Sequence, residues 1–133
     1  MHSGPIAEDR DLTAAEGRLL RWLLDHGKPE ARDFIAQIDG LRVASRCPCG
    51  CPSINFNRAE SKTSAPPGMH VLSHYVYEDE DGHTIGVFAF AQGDALAGIE
   101  VWSIAGDPIP ERVPDPSVLR PFPHARRPTS GCS

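Results

Sequence analysis

Several features that would assign a function class at once are missing from the sequence. No apolar run approaches the roughly 18 residues that a transmembrane helix needs, and the longest, residues 85–91, still contains a glycine. No phosphate-binding glycine loop, dinucleotide fingerprint, zinc-protease helix motif or nucleophile elbow occurs. Residues 1–11 lack the basic and apolar segments of a secretory signal. We therefore expect a cytoplasmic protein without a membrane partner.

Basic residues are also scarce. The chain of 133 residues carries 13 lysines and arginines against 18 acids, a formal net charge of −5. Because binding to duplex nucleic acid depends on neutralising phosphates, this acidity argues against nucleic acid as the main partner. From Arg120 onward the chain has three arginines and no acid, and residues 121–133 are predicted to be a proline-rich, disordered tail.

Length and composition predict one domain over residues 12–120, between a flexible N-terminus (1–11) and the tail. Thr13 and Glu16 have the spacing of a capping box, and the apolar residues that follow recur at helical spacing. This pattern predicts a helix that ends at Gly27. Pro29 is suited to the first position of a second, short helix.

Beyond residue 40 the hydrophobic period changes from helical to alternating. Five segments read as strands, and short turn sequences separate the last three, which predicts an antiparallel meander over residues 70–104. Glycines 86 and 98 inside two of these strands indicate bulges or a close approach of neighbouring strands. The predicted fold is therefore α+β, with two N-terminal helices packed on a mostly antiparallel sheet of about five strands that ends in a β-meander.

The most unusual feature is a cluster of three cysteines within five residues, Cys47, Cys49 and Cys51. Pro48 suits the second position of a type I turn, and Gly50 suits the left-handed position that follows it. Such a hairpin loop would place Cys47 and Cys51 opposite each other, with Cβ atoms about 4.5–5.5 Å apart and Cys49 at the tip.

Three roles for these thiols stay open. As metal ligands, Cys47, Cys49 and Cys51 would suit zinc or copper(I), which accept soft sulfur ligands. In a redox site, Cys47 and Cys51 would form a reversible disulfide or Cys49 would attack as a thiolate. Small thiols can also simply pack. A zinc site needs a fourth ligand, for which the candidates are His70, His74, His83 and Cys132.

The segment 47–54, Cys-Pro-Cys-Gly-Cys-Pro-Ser-Ile, resembles a group of small actinobacterial proteins with a Cys-x-Cys-Gly-Cys-Pro-Ser motif. The group shares a leucine-rich first helix, a glutamine-containing second helix and a Leu-x-x-Ile/Leu-Glu strand, which corresponds to residues 96–100 here. This similarity covers about residues 12–120. The group has no assigned activity, so the resemblance implies these boundaries and transfers no catalytic residue.

No nucleophile, base and orienting group are brought together by the sequence, so no catalytic residue is predicted and an enzyme is not favoured. The leading hypothesis is a cytoplasmic, non-enzymatic protein in which Cys47, Cys49 and Cys51 form a thiolate centre for zinc or copper(I). One alternative is a protein-binding module of the immunity or antitoxin kind, whose strands the C-terminal hairpin loosely resembles. It would use the acidic turn 78–81 against a basic partner. The other alternative is a thiol redox protein.

Overall fold

The computed structural model of the protein describes residues 6–47, 51–56, 69–106, 108–110 and 112–121. These residues form seven strands, an α-helix, a longer 3₁₀ helix and a short 3₁₀ turn: β1 (Ile6–Asp11), α1 (Ala14–Asp25), the 3₁₀ helix (Pro29–Ile38), β2 (Arg42–Arg46), β3 (Ile54–Phe56), β4 (Met69–Glu78), β5 (Thr84–Gln92), β6 (Ala95–Ser103), the 3₁₀ turn (Pro116–Val118) and β7 (Arg120–Pro121). In these ranges no helix combines the length and the apolar character that crossing a membrane requires.

All seven strands belong to one sheet in the order β1-β2-β3-β6-β5-β4-β7, and each neighbouring pair is antiparallel. Strands β4, β5 and β6 form a meander and lie where the alternating pattern predicts them. The short strand β3 pairs with β6, with Ile54 opposite Ile99 and Asn55 opposite Gly98. This pairing joins the N-terminal strands β1–β3 to the meander.

Helix α1 covers one face of the sheet. The capping box at its start is confirmed, because the Glu16 N–H donates to Thr13 Oγ1 and the Thr13 N–H donates to Glu16 Oε1. Four leucines of the helix are fully buried in one cluster with the inner face of the sheet. Burying each of these side chains contributes about 1.5–3 kcal/mol, so the helix and sheet stabilise each other. The leucines are Leu19, Leu20, Leu23 and Leu24.

The predicted arrangement of two N-terminal helices on about five strands is wrong. The sheet has seven strands, and one of them, β1, precedes the first helix. Strand β1 is formed by residues whose polar composition predicts a loose segment. It pairs instead with β2 through the antiparallel backbone ladder. Ion pairs accompany this ladder, in which Arg42 contacts Asp9 and Asp11 at 2.8 Å each and Arg46 contacts Glu8 at 2.8 Å. A solvated edge strand needs no apolar face, so hydrophobic alternation does not reveal it.

The second correction concerns the other edge of the sheet and the second helix. Strand β7 has two residues, Arg120 and Pro121, paired with Val76 and Tyr75 of β4. A proline is tolerated there because an edge strand does not need every N–H for the ladder. The short second helix predicted to begin at Pro29 does begin there, and it is a 3₁₀ helix.

Close contacts with neighbouring strands explain three glycines. A Cβ atom on Gly27 would lie 2.3 Å from the Leu72 carbonyl oxygen, the same oxygen that accepts the Lys28 N–H at 2.8 Å. Gly27 is therefore required by the contact between α1 and β4, and not by a left-handed helix end as its position suggests. The close approach predicted for the strand glycines is confirmed, since a Cβ on Gly86 would meet the Trp102 ring and one on Gly98 the Ile54 carbonyl.

We expect Gly27→Ala to lower the free energy of unfolding by about 1–3 kcal/mol, because the new methyl group meets backbone and not a movable side chain. Gly17→Ala is the matched control. Gly17 lies inside α1 with no atom within 4 Å of an added Cβ, so this change should raise stability by about 0.5–1 kcal/mol. Urea unfolding of both variants tests the contact, and a Gly27→Ala protein as stable as the parent would contradict it.

Candidate functional site

The cysteine turn connects β2 to β3. The Cys47 N–H donates to the Ser53 carbonyl at 3.2 Å, which extends the pairing of the two strands beyond Arg46 and Ile54. Cys47 therefore lies opposite Ser53. The predicted three-residue loop, which would have placed Cys47 opposite Cys51, is wrong. Pro52 lies between Cys51 and Ser53 in this connection and has no N–H to donate to a neighbouring strand. Cys49 lies outside the described residues.

The two described cysteines differ in oxidation state. Cys51 is disulfide-bonded, whereas Cys47 is a buried thiol outside any disulfide. The sulfur bonded to Cys51 is therefore not that of Cys47. A sulfur in a disulfide carries no thiolate charge, so Cys51 in this state does not meet the requirement for a zinc or copper(I) ligand. Metal binding by Cys47, Cys49 and Cys51 stays a prediction, and it would require that the Cys51 disulfide be reduced.

Ser53 holds Cys51 against the end of the sheet. Its hydroxyl lies 3.4 Å from Cys51 Sγ, donates to the Val101 carbonyl at 3.2 Å and accepts the Val101 N–H at 2.8 Å. These contacts continue the β3–β6 pairing where the backbone ladder stops. Burial raises the pKa of the neighbouring Glu100 carboxyl, although a hydrogen bond with Ser53 acts to lower it. A polar chain thus runs from the sulfur to a half-buried carboxyl.

Cys51 also lies in the wall of an open cleft of about 590 Å³. The cleft is formed by the start of α1, the ends of β2 and β3, and the segment that contains residues 112–115. Its described walls carry more cations than anions, in contrast to the acidic chain as a whole. The charged residues are Arg10, Arg18, Arg46 and Arg112 with Glu16 and Asp115.

Glutamates neutralise two of these arginines. Arg10 donates to both carboxylate oxygens of Glu16, at 2.9 and 3.1 Å, and to Glu8 at 2.7 Å. Arg46 donates to the other oxygen of Glu8 at 2.8 Å. Burial acts to raise the pKa of Glu16, but hydrogen bonds from Arg10 and Thr13 outweigh it, so this pKa lies below its ordinary value. The network is fully ionised at neutral pH and ties β1 to the start of α1.

The other two arginines are less compensated. Arg18 is 3.9 Å from Asp115, and the side chains of both residues are more than half exposed. Arg112 is exposed and makes no ion pair within the described ranges. An exposed ion pair at such a distance contributes little to stability, so Arg18 can leave Asp115 to bind an anion that enters the cleft. Arg112 has no described ion pair to break.

The three histidines proposed as fourth metal ligands contact other groups. His70 lies 2.9 Å from Glu30, His83 lies 3.3 Å from Asp79, and His74 Nε2 accepts the Trp102 indole N–H at 3.3 Å. His70 and His74 are on β4, which is separated from β3 by β5 and β6. Three strand spacings of about 4.8 Å place them roughly 14 Å from the cysteine turn, too far for a shared ion. Cys132 lies outside the described residues.

The acidic turn between β4 and β5 has a structural role. Asp79 Oδ1 accepts the N–H groups of Asp81 and His83, each at 2.9 Å. Ligand atoms of these three residues lie within 4.8 Å of one another, the one such group of three in the part of the chain that the structure describes. These two hydrogen bonds give Asp79 a role in stabilising the turn that does not require a bound ion. The use of this turn against a basic protein stays a prediction.

His74 is the most perturbed group on the sheet face opposite the helices. It lies beside Phe88 in the strand register, and Phe88 lies beside Glu100 on the next strand. Burial lowers the pKa of His74 to about 4. His74 is therefore neutral at physiological pH, as its contact with the Trp102 N–H requires. No signal in the sequence distinguishes it from the other histidines, since its burial comes from neighbouring strands.

We expect the pKa of His74 to make the protein less stable in acid. The unfolded chain binds a proton at this residue near pH 6.5, whereas the folded chain resists it until about pH 4. The free energy of unfolding should therefore fall as the pH drops between these values. His74→Gln keeps an acceptor for the indole N–H but does not titrate, so its stability should fall less steeply. Urea unfolding at several pH values would contradict this if both slopes were equal.

Comparisons with known proteins assign no family. No family model matches the chain, and no curated protein or solved structure matches it. The resemblance at residues 47–54 to small actinobacterial proteins therefore stays a prediction. Function has to be inferred from Cys51, Ser53 and the arginine-lined cleft.

Proposed function

We propose that the protein is a thiol–disulfide redox protein whose reactive sulfur is Cys51. The observation that carries the proposal is the position of the disulfide-bonded Cys51 in the wall of an open, arginine-lined cleft. Structural disulfides resist reduction, whereas strained or exposed ones are labile. Cys51 is only 7% exposed, so an incoming thiol would have to reach its sulfur from the cleft.

The chemistry is thiol–disulfide exchange. An incoming thiolate attacks Cys51 Sγ, a new S–S bond forms, and the old one breaks with its electron pair on the sulfur that leaves Cys51. That sulfur takes a proton from water. A second thiolate then attacks the mixed disulfide and releases Cys51 with its electron pair. Two small thiols are oxidised to one disulfide while the protein disulfide is reduced to two thiols.

The surroundings of Cys51 favour its thiolate in the reduced protein. Arg18 and Arg112 bring positive charge to the cleft, and the start of α1 adds the positive end of a helix dipole. The Ser53 hydroxyl lies 3.4 Å from the sulfur, and it would have to turn its single proton away from the Val101 carbonyl to donate to a thiolate. A stabilised thiolate is a better leaving group, so these contacts support rapid and reversible exchange.

A redox role also fits a cytoplasmic location, which we keep as part of the proposal. Disulfides in a reducing compartment are usually transient and serve catalysis or redox sensing. The thiolate metal centre is less well supported, because the described histidines contact other groups and Cys51 is oxidised. The protein-binding alternative rests on surface charge alone.

The proposal predicts that the Cys51 disulfide is reduced reversibly in the folded protein. Equilibration in glutathione buffers, followed by acid quench, alkylation and mass spectrometry, should give a reduction potential above about −300 mV, within reach of cellular thiols. Cys51→Ser should abolish the change in alkylated thiols on reduction. Cys47→Ser should retain it and serves as the matched control.

Two results would contradict this function. The first is a disulfide that reduces only when the protein is unfolded in denaturant, which would make it structural. The second is near one zinc or copper ion per chain in anaerobically purified protein, with Cys51 shielded from alkylation. That result would instead support a thiolate centre of Cys47, Cys49 and Cys51.

A further inference from the structure

We infer that the cleft beside Cys51 binds small thiols and disulfides that carry carboxylate groups, with Arg18 and Arg112 as the residues that bind the carboxylate. This inference rests on the redox function proposed above and names the substrate class of the same site. It depends on three properties of the cleft, namely its charge, its size and the position of the sulfur within it.

The charge of the cleft is opposite to that of the chain. The protein carries a net charge of −5, yet the described walls of the cleft have four arginines and two acids. Glu8 and Glu16 neutralise Arg10 and Arg46 through hydrogen bonds of 2.7–3.1 Å. Among the described wall residues, the remaining positive charge lies on Arg18, which is 3.9 Å from the exposed Asp115, and on Arg112.

Arginine suits a carboxylate better than a lysine would. Its planar guanidinium presents paired N–H groups that match the two oxygens of a carboxylate. Arg18 is 60% exposed and its contact with Asp115 is 3.9 Å long, so a ligand can displace that contact at little cost. Arg10 and Arg46, in contrast, already have short hydrogen bonds to glutamates, and they shape the cleft.

The size of the cleft points to a small molecule. A volume of about 590 Å³ falls within the range of about 300–1,000 Å³ that is usual for small-ligand sites. Cys51 and the arginines line the same space, so one molecule can place its carboxylate on an arginine and its sulfur near Cys51. A protein thiol would need a larger complementary surface around the cleft.

A charge series of small thiols tests this substrate class. We would measure the rate at which 3-mercaptopropionate, 2-mercaptoethanol and cysteamine reduce the oxidised full-length protein at low ionic strength. These thiols carry a negative, a neutral and a positive group, respectively. Each rate is expressed per thiolate and divided by the rate of the same thiol with an uncharged small disulfide, which removes differences in intrinsic nucleophilicity.

The anionic thiol should react about five- to tenfold faster than the neutral one, as expected for two cations several ångströms away at a solvated site. The cationic thiol should be slowest, and added salt should reduce the differences between the three rates because it screens the charges. The double variant Arg18→Gln/Arg112→Gln should bring the anionic and neutral rates close together. Arg32→Gln is the control, since Arg32 is also well exposed (70%, against 60% for Arg18) and makes one long ion pair, 3.5 Å to Asp25, outside the cleft.

The possible outcomes separate the two proposals. The expected charge order, lost in the double variant and kept in Arg32→Gln, supports the inference. Equal normalised rates for all three thiols, or an order that the double variant retains, would overturn the substrate class and leave the redox function standing. No reduction of Cys51 by any of the thiols in the folded protein would overturn both.

Discussion

The pairing of β3 with β6 is the contact on which the rest of the structure depends. Only Ile54 and Asn55 form ladder pairs with β6, and the Ser53 hydroxyl continues the contact by binding both backbone groups of Val101. Through this short junction, strands β1 and β2 become part of the same sheet as the meander. The junction also places the cysteine turn at the end of the sheet, beside the start of α1.

A second constraint positions the opposite wall of the cleft. Glu16 belongs to the capping box of α1 and is bound by Arg10 of β1. One carboxylate therefore satisfies the helix start and also fixes the edge strand against it. Because Glu16 is buried and ionised, loss of Arg10 would leave an uncompensated charge in the wall of the cleft. The same network leaves Arg18 and Arg112 as the cations available to a ligand.

The reactivity that we propose for Cys51 follows from this placement and not from the density of cysteines. Thiols crowded on a turn are compatible with metal binding, redox chemistry and packing. The structure adds that one sulfur is oxidised, that it borders a cleft and that the cleft is positively charged. It also places the histidines that a metal site would need on strands and turns away from the cysteines. The redox exchange that we propose uses all of these features.

Local signals in the sequence determined the capping box at Thr13 and Glu16, the three strands of the meander and the close approach at Gly86 and Gly98. Each depends on residues a few positions apart, or on an alternation that one strand displays by itself. Tertiary structure alone decided the existence of β1 and β7 and the reason for Gly27. It also decided the burial of His74 and the position of Cys51, Arg18 and Arg112 around one cleft. These features depend on contacts between residues tens of positions apart. Such contacts leave no periodic signal in the chain, because an ion pair or a cleft wall requires only that the fold bring the residues that form it together.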